Sequence, residues 1–130
     1  MTQRIEIPLT PRTKKNSGRI IWNRRTNRPM FIPSQNYADY EKECGYYLKN
    51  VEPFLSPCNL RCLFYMPTRR KVDLSNLISA ISDILVHYGI LMDDNSNIIK
   101  GYDGSRVIYD KGNGHTIIEI TEFEESEVEI

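Results

Sequence analysis

A chain of 130 residues with 40% hydrophobic content has the size of one domain and enough apolar material for a single core without disulfide or metal staples. No window holds the roughly 18 uninterrupted apolar residues of a membrane span. MTQRIEIPLTPR also lacks the apolar region of a secretory leader, so an intracellular protein is expected, with Cys44, Cys58 and Cys62 as free buried thiols. The formal net charge of zero hides an asymmetry: residues 1–71 hold fourteen Lys/Arg against five Asp/Glu (+9), and residues 72–130 hold three against twelve (−9). Two readings of that split stay open, one surface for phosphates beside another for cations, or mutual neutralisation across a domain or dimer.

In chain order, residues 3–9 alternate, with Ile5, Ile7 and Leu9 on one side, which predicts a strand. Thr10 to Arg28 contains seven cations and no acid; within and after it, Ile20-Ile21-Trp22 and Met30-Phe31-Ile32 flank a basic, Asn-containing turn and predict a hairpin. Ser34 is placed to cap a helix over 35–49 whose inner stripe is Tyr37, Tyr40, Cys44, Tyr47 and Leu48. Asn59 to Met66 alternates again, with Leu60, Cys62, Phe64 and Met66 facing one way. The strongest helical stripe is Leu74, Leu77, Ile78, Ile81, Ile84, Leu85 and Tyr88, stopped by Gly89. Segments 97–110 and 115–122 read as strands joined in a hairpin by Lys111-Gly112-Asn113-Gly114. The expectation is one α+β domain over 1–123, a mixed or antiparallel sheet of about five strands packed by two main helices, with an acidic tail over 124–130.

The segment that stands apart is Arg69-Arg70-Lys71-Val72-Asp73, a basic triplet running into an acid at a helix start, followed after that helix by Asp93-Asp94-Asn95. The helix separates the carboxylates by roughly 24 Å. They meet only if the loop after Gly89 folds back along the helix, or if Asp73 of one subunit joins Asp93 and Asp94 of another. Carboxylates without histidine suit Mg²⁺ better than zinc, and phosphodiester hydrolysis is the natural reaction of such a centre. Each acid also has a plainer role: Asp73 as a helix cap contributing about 1 kcal/mol, and Asp93-Asp94-Asn95 as ordinary turn composition. Asn76, Asp83 and His87 share a flank of the helix with Asp73; Asp83 either supports the site or, the preferred reading, pairs with His87. Trp22, Phe31, Tyr37 and Tyr40 either stack on exposed bases or, again preferred, belong to the core. The spread of Cys44, Cys58, Cys62, His87 and His115 does not suit zinc, and the chain has no phosphate-binding glycine loop and implies no organic cofactor.

The order Arg69-Arg70-Lys71-Val72-Asp73-Leu74-Ser75-Asn76-Leu77, Asp83-Ile84-Leu85 and Gly89-Ile90-Leu91-Met92-Asp93-Asp94-Asn95, preceded by Pro11-Arg12-Thr13-Lys14-Lys15-Asn16, resembles the RusA family of Holliday-junction resolvases. The resemblance covers about residues 5–122. It implies a homodimeric endodeoxyribonuclease of phage or prophage origin, acting in the bacterial cytoplasm, that makes paired symmetric nicks in four-way DNA junctions with Mg²⁺ or Mn²⁺. Asp73 and Asp94 would be its catalytic and metal carboxylates, with Asp93 beside them, and Arg12, Lys14, Lys15, Arg69, Arg70 and Lys71 its phosphate contacts. Two positions depart from the best-known members: Ser75 stands where they have a second aspartate, and Ser79 where they have a lysine. A serine holds a metal-bound water but brings no charge. Asn76, Asp83 or Asp93 would then support the site, and Lys71, Lys100 or Lys15 would steady the phosphate. The alternative is a catalytically weakened or inactive junction-binding protein of the same fold.

Overall fold

The computed structural model describes residues 2–14, 19–32 and 34–123. In chain order its elements are β1 (Thr2–Ile7), β2 (Arg19–Asn23), β3 (Arg28–Ile32), α1 (Gln35–Leu48), β4 (Cys58–Met66), α2 (Leu74–His87), β5 (Ile99–Gly101), β6 (Arg106–Tyr109) and β7 (His115–Glu122). This is an α+β arrangement of a mixed sheet, a separate antiparallel hairpin and two helices. The acidic tail over 124–130 and Lys15 lie outside the described residues.

Period-two alternation builds the main sheet. β7 lies between β1 and β4, antiparallel to both, in a register that sets Ile5 beside Ile118 and Ile118 beside Cys62. The core face is completed by Ile7, Leu60, Phe64 and Ile120, all essentially buried. On the other face, Arg61 and Glu119 stand opposite each other and pair at 2.7 Å.

The far edge of β4 departs from expectation. It is shared by two parallel strands, β5 beside Cys58 and Asn59, and β6 beside Leu63 to Met66. β6 and β7 therefore do not form a hairpin, because β4 lies between them. The connection passes over the end of β4, where the Asp110 N–H donates to the Met66 carbonyl (2.9 Å) and the Gly112 N–H to the Pro67 carbonyl (3.1 Å). Gly112 does turn the chain, at φ 69°. The two-residue period assigns a strand and its faces but not its neighbour. Segment 97–110 is likewise two strands, broken at Asp103-Gly104. There the Asn59 carboxamide accepts from the Asp103 N–H (2.9 Å) and donates to its carbonyl (3.2 Å).

Each helix buries one stripe in the common core. α1 contributes Tyr37, Tyr40, Cys44 and Leu48; Tyr47, expected on that stripe, is 43% exposed. α2 contributes Leu77, Ala80, Ile81, Ile84 and Leu85. The helices approach closely at Gly45, where a Cβ would lie 2.7 Å from the Tyr88 hydroxyl, and that hydroxyl donates to the Glu41 carbonyl at 2.8 Å. All three cysteines are free and buried, and burial pushes the Cys44 and Cys62 thiols up to about 12. Among the described residues no helix is long and apolar enough to cross a membrane.

Candidate active site

α2 organises the candidate site, and the residue at its start behaves unusually. Asp73 has the extended backbone of a helix cap (φ −87°, ψ 124°), and its carbonyl accepts from the Asn76 and Leu77 N–H groups, both at 3.1 Å. Its carboxylate nevertheless makes no capping bond. The carboxylate accepts instead from the Asn76 side chain at a long 3.3 Å, on an exposed residue. Helix capping thus does not account for the side chain. Ser75 and Ser79, two and six residues along, are also exposed, and Asn76 is half-buried.

At the other end Gly89, at φ 77°, reverses the chain. The Ile90 and Leu91 N–H groups both donate to the Leu85 carbonyl (2.9 and 3.3 Å), and the Ile90 carbonyl accepts from the Phe54 N–H (2.9 Å). Both side chains sink into the core and anchor the acidic loop that begins at Met92. The Asp93 carboxylate accepts from the Asp94 N–H (2.7 Å) and from the Asn95 side chain (3.0 Å). Those bonds, the backbone one foremost, hold its carboxyl below the ordinary range. Asp93 is therefore a brace of its own loop.

Asp94 is exposed in the same loop. Burial, and then the Asp94 charge among neighbouring groups, raises the pKa of Tyr102, whose hydroxyl lies 3.3 Å from Ser82 Oγ on α2. Tyr102 thus ties the chain just after β5 to the middle of α2. Ser82 is nine residues beyond Asp73, about 13 Å along the helix axis. Among the described residues, no group of three or more His, Cys, Asp or Glu side chains is close enough to hold a metal ion.

Of the supporting residues, Asp83 is placed differently from the preferred reading. It pairs with Lys14 at 2.8 Å, both side chains 37% exposed, while His87 packs edge-on against the Tyr88 ring. Lys14 also sits 5.7 Å from the Tyr37 ring. This ties the N-terminal basic segment to α2 and commits one of its charges. A partner 69 residues away leaves no local signal. Arg12, Arg70 and Lys71 are exposed, and Lys100 is half-buried in β5. Arg69 lies with its guanidinium 4.0 Å over the Tyr109 ring, and nearby on the sheet Tyr65 and His115 stack at 4.1 Å, only 4° from parallel. Sequence reasoning misses this aromatic border at the end of β4; its one local signal is Tyr65, on the face of β4 opposite Phe64.

The fold and site define a small α+β domain in which a carboxylate heads a helix without capping it, directly after a run of exposed cations. The chain belongs to the RusA family: the family model of endodeoxyribonuclease RusA matches residues 8–121, a span that includes both basic segments and all three aspartates. No curated protein matches the chain.

Proposed function

We propose that the protein is a divalent-metal-dependent junction resolvase that makes paired symmetric nicks in four-way DNA as a homodimer. The observation that carries this reading is the Asp73 carboxylate, which heads α2, makes no cap and follows Arg69, Arg70 and Lys71. The donor chemistry fits Mg²⁺ or Mn²⁺: Asp73 and Asp94 offer only oxygen, and Mg²⁺ is ordinarily held by one or two carboxylates completed by water and substrate phosphate. When bound, such an ion makes water a better nucleophile and stabilises charge on the phosphoryl and leaving oxygens. Asp93 holds the loop that carries Asp94. Arg12, Arg69, Arg70 and Lys71 hold phosphates, fixing register with little base readout, as recognition of a branched shape requires. Two nicks on a symmetric junction call for two sites, which a two-fold dimer supplies.

The test is cleavage of a synthetic four-way junction with Mg²⁺ or Mn²⁺. Paired nicks lost in Asp94→Asn are expected; no nicking by the wild type, or full nicking by Asp94→Asn, overturns the proposal. Ser75, which supplies no charge at the helix start, favours a second reading as a non-cleaving junction binder. Tight binding in chelator, with no cleavage in any metal, selects it.

A further inference from the structure

The β2–β3 hairpin stands apart from the rest of the described structure. Its strands pair only with each other, and none of its side chains joins the core or packs against it. A lone two-stranded ribbon is marginal in water, and an exposed apolar patch of this kind marks an interaction site. The register places Ile20 opposite Phe31 and Trp22 opposite Pro29, so these four side chains share one face of the ribbon. That face is open: Ile20 is 74% exposed, Trp22 58% and Phe31 45%. Here the preferred reading of the four aromatic residues divides, because Tyr37 and Tyr40 are in the core whereas Trp22 and Phe31 are not.

The surroundings select the occupant. Arg19 opens β2, Arg24 and Arg25 form the turn and Arg28 opens β3, all exposed, and residues 7–38 contain no acid. A second copy pressed onto the same face would bring two sets of four arginines together without compensation. A polyanion that also offers flat apolar surfaces satisfies both the charge and the rings, and unstacked bases at a DNA branch point are such a surface. Resting on the reading of the chain as a junction endonuclease, we propose that this hairpin is a branch-point contact in which Trp22 stacks on an unstacked base while Arg19, Arg24, Arg25 and Arg28 hold the flanking phosphates.

Trp22 is the chain's only tryptophan, so its fluorescence reports on the hairpin alone. The experiment titrates the wild-type protein, in chelator, with a four-way junction and with a linear duplex of the same composition, following binding by gel shift and Trp22 emission together. Quenching by the junction in excess of that by the duplex is expected. Trp22→Ala is expected to lose on the order of tenfold in junction affinity and Trp22→Phe to retain most of it, with circular dichroism confirming the fold. If Trp22→Ala does not fold, the wild-type emission decides. Junction bound without any change in emission, or bound equally well by folded Trp22→Ala, overturns this inference and leaves the endonuclease reading standing. A blue shift that tracks protein concentration, or anionic phospholipid vesicles, in place of the junction response assigns the face to a second copy or to a membrane and also overturns it. Absence of any junction binding overturns both.

Discussion

The two helices are each 14 residues long, and each begins from a residue with extended backbone, yet those two residues act differently. At α1 the Ser34 hydroxyl accepts from the Tyr37 N–H at 3.2 Å and satisfies one of the open donors at the helix start. At α2 the Asp73 carboxylate leaves those donors without it, although aspartate caps as well as serine. α2 tolerates this because its stripe is more apolar and more deeply buried, from Leu77 to Leu85, so tertiary packing fixes it without its cap. A side chain that closes a helix is explained by the helix. One that could do so and does not is available for other chemistry, which under the proposed function is the nuclease reaction.

The most severe test of this contrast separates activity from stability. Asp73→Asn and Asp94→Asn are each expected to lower junction nicking by at least about a hundredfold, since a metal carboxylate supports several kcal/mol of transition-state charge. Asp73→Ala is expected to change unfolding free energy by no more than about 0.5 kcal/mol in a urea titration, as for a surface position without a structural bond. A loss of about 1 kcal/mol with normal nicking would make Asp73 a cap after all. Next in size is Gly89→Ala. A Cβ there meets nothing within 4 Å, so the cost is that of the left-handed backbone alone, about 1–2 kcal/mol in the same titration. Ser34→Ala comes after it, expected to cost about 1 kcal/mol with nicking unchanged. Equal stability losses at Ser34 and Asp73 would erase the difference between the two starts.

Much of this is legible from local pattern. Three- and four-residue spacing places α1 and α2, alternation places β1 and β4, two apolar runs around a basic turn place the β2–β3 hairpin, and Asp73 is readable as the residue at the start of α2. The hidden features depend on partners distant in the chain. The parallel pairing of β6 with β4 joins Leu63 to Arg106, and the Lys14–Asp83 pair spans 69 residues. The Tyr102–Ser82 contact joins the chain after β5 to a helix that the chain had already left. Spacing within a window reports which face a residue occupies, whereas these features report what faces it. The uncapped state of Asp73 is hidden for a further reason: the residue type favours a cap, and only the side-chain geometry shows that none is made.

The smallest expected effect concerns the division of labour between the adjacent acids. The bonds from the Asp94 N–H and the Asn95 side chain depress the Asp93 carboxyl below its ordinary 3.8. A depressed native value means that the native loop favours the charged form. Its contribution is complete above the unfolded value and fades as pH falls through the native one, so neutral solution leaves the brace intact. An NMR titration of the Asp93 carboxyl is expected to show a midpoint below 3.8. Asn95→Ala is expected to raise that midpoint only partly, because the Asp94 N–H, the larger cause, remains. A midpoint at or above 3.8 would remove the brace and return Asp93 to equal standing with Asp94. With the brace in place, Asp93→Asn keeps an oxygen to accept from that N–H, so it is expected to reduce nicking less than Asp94→Asn does.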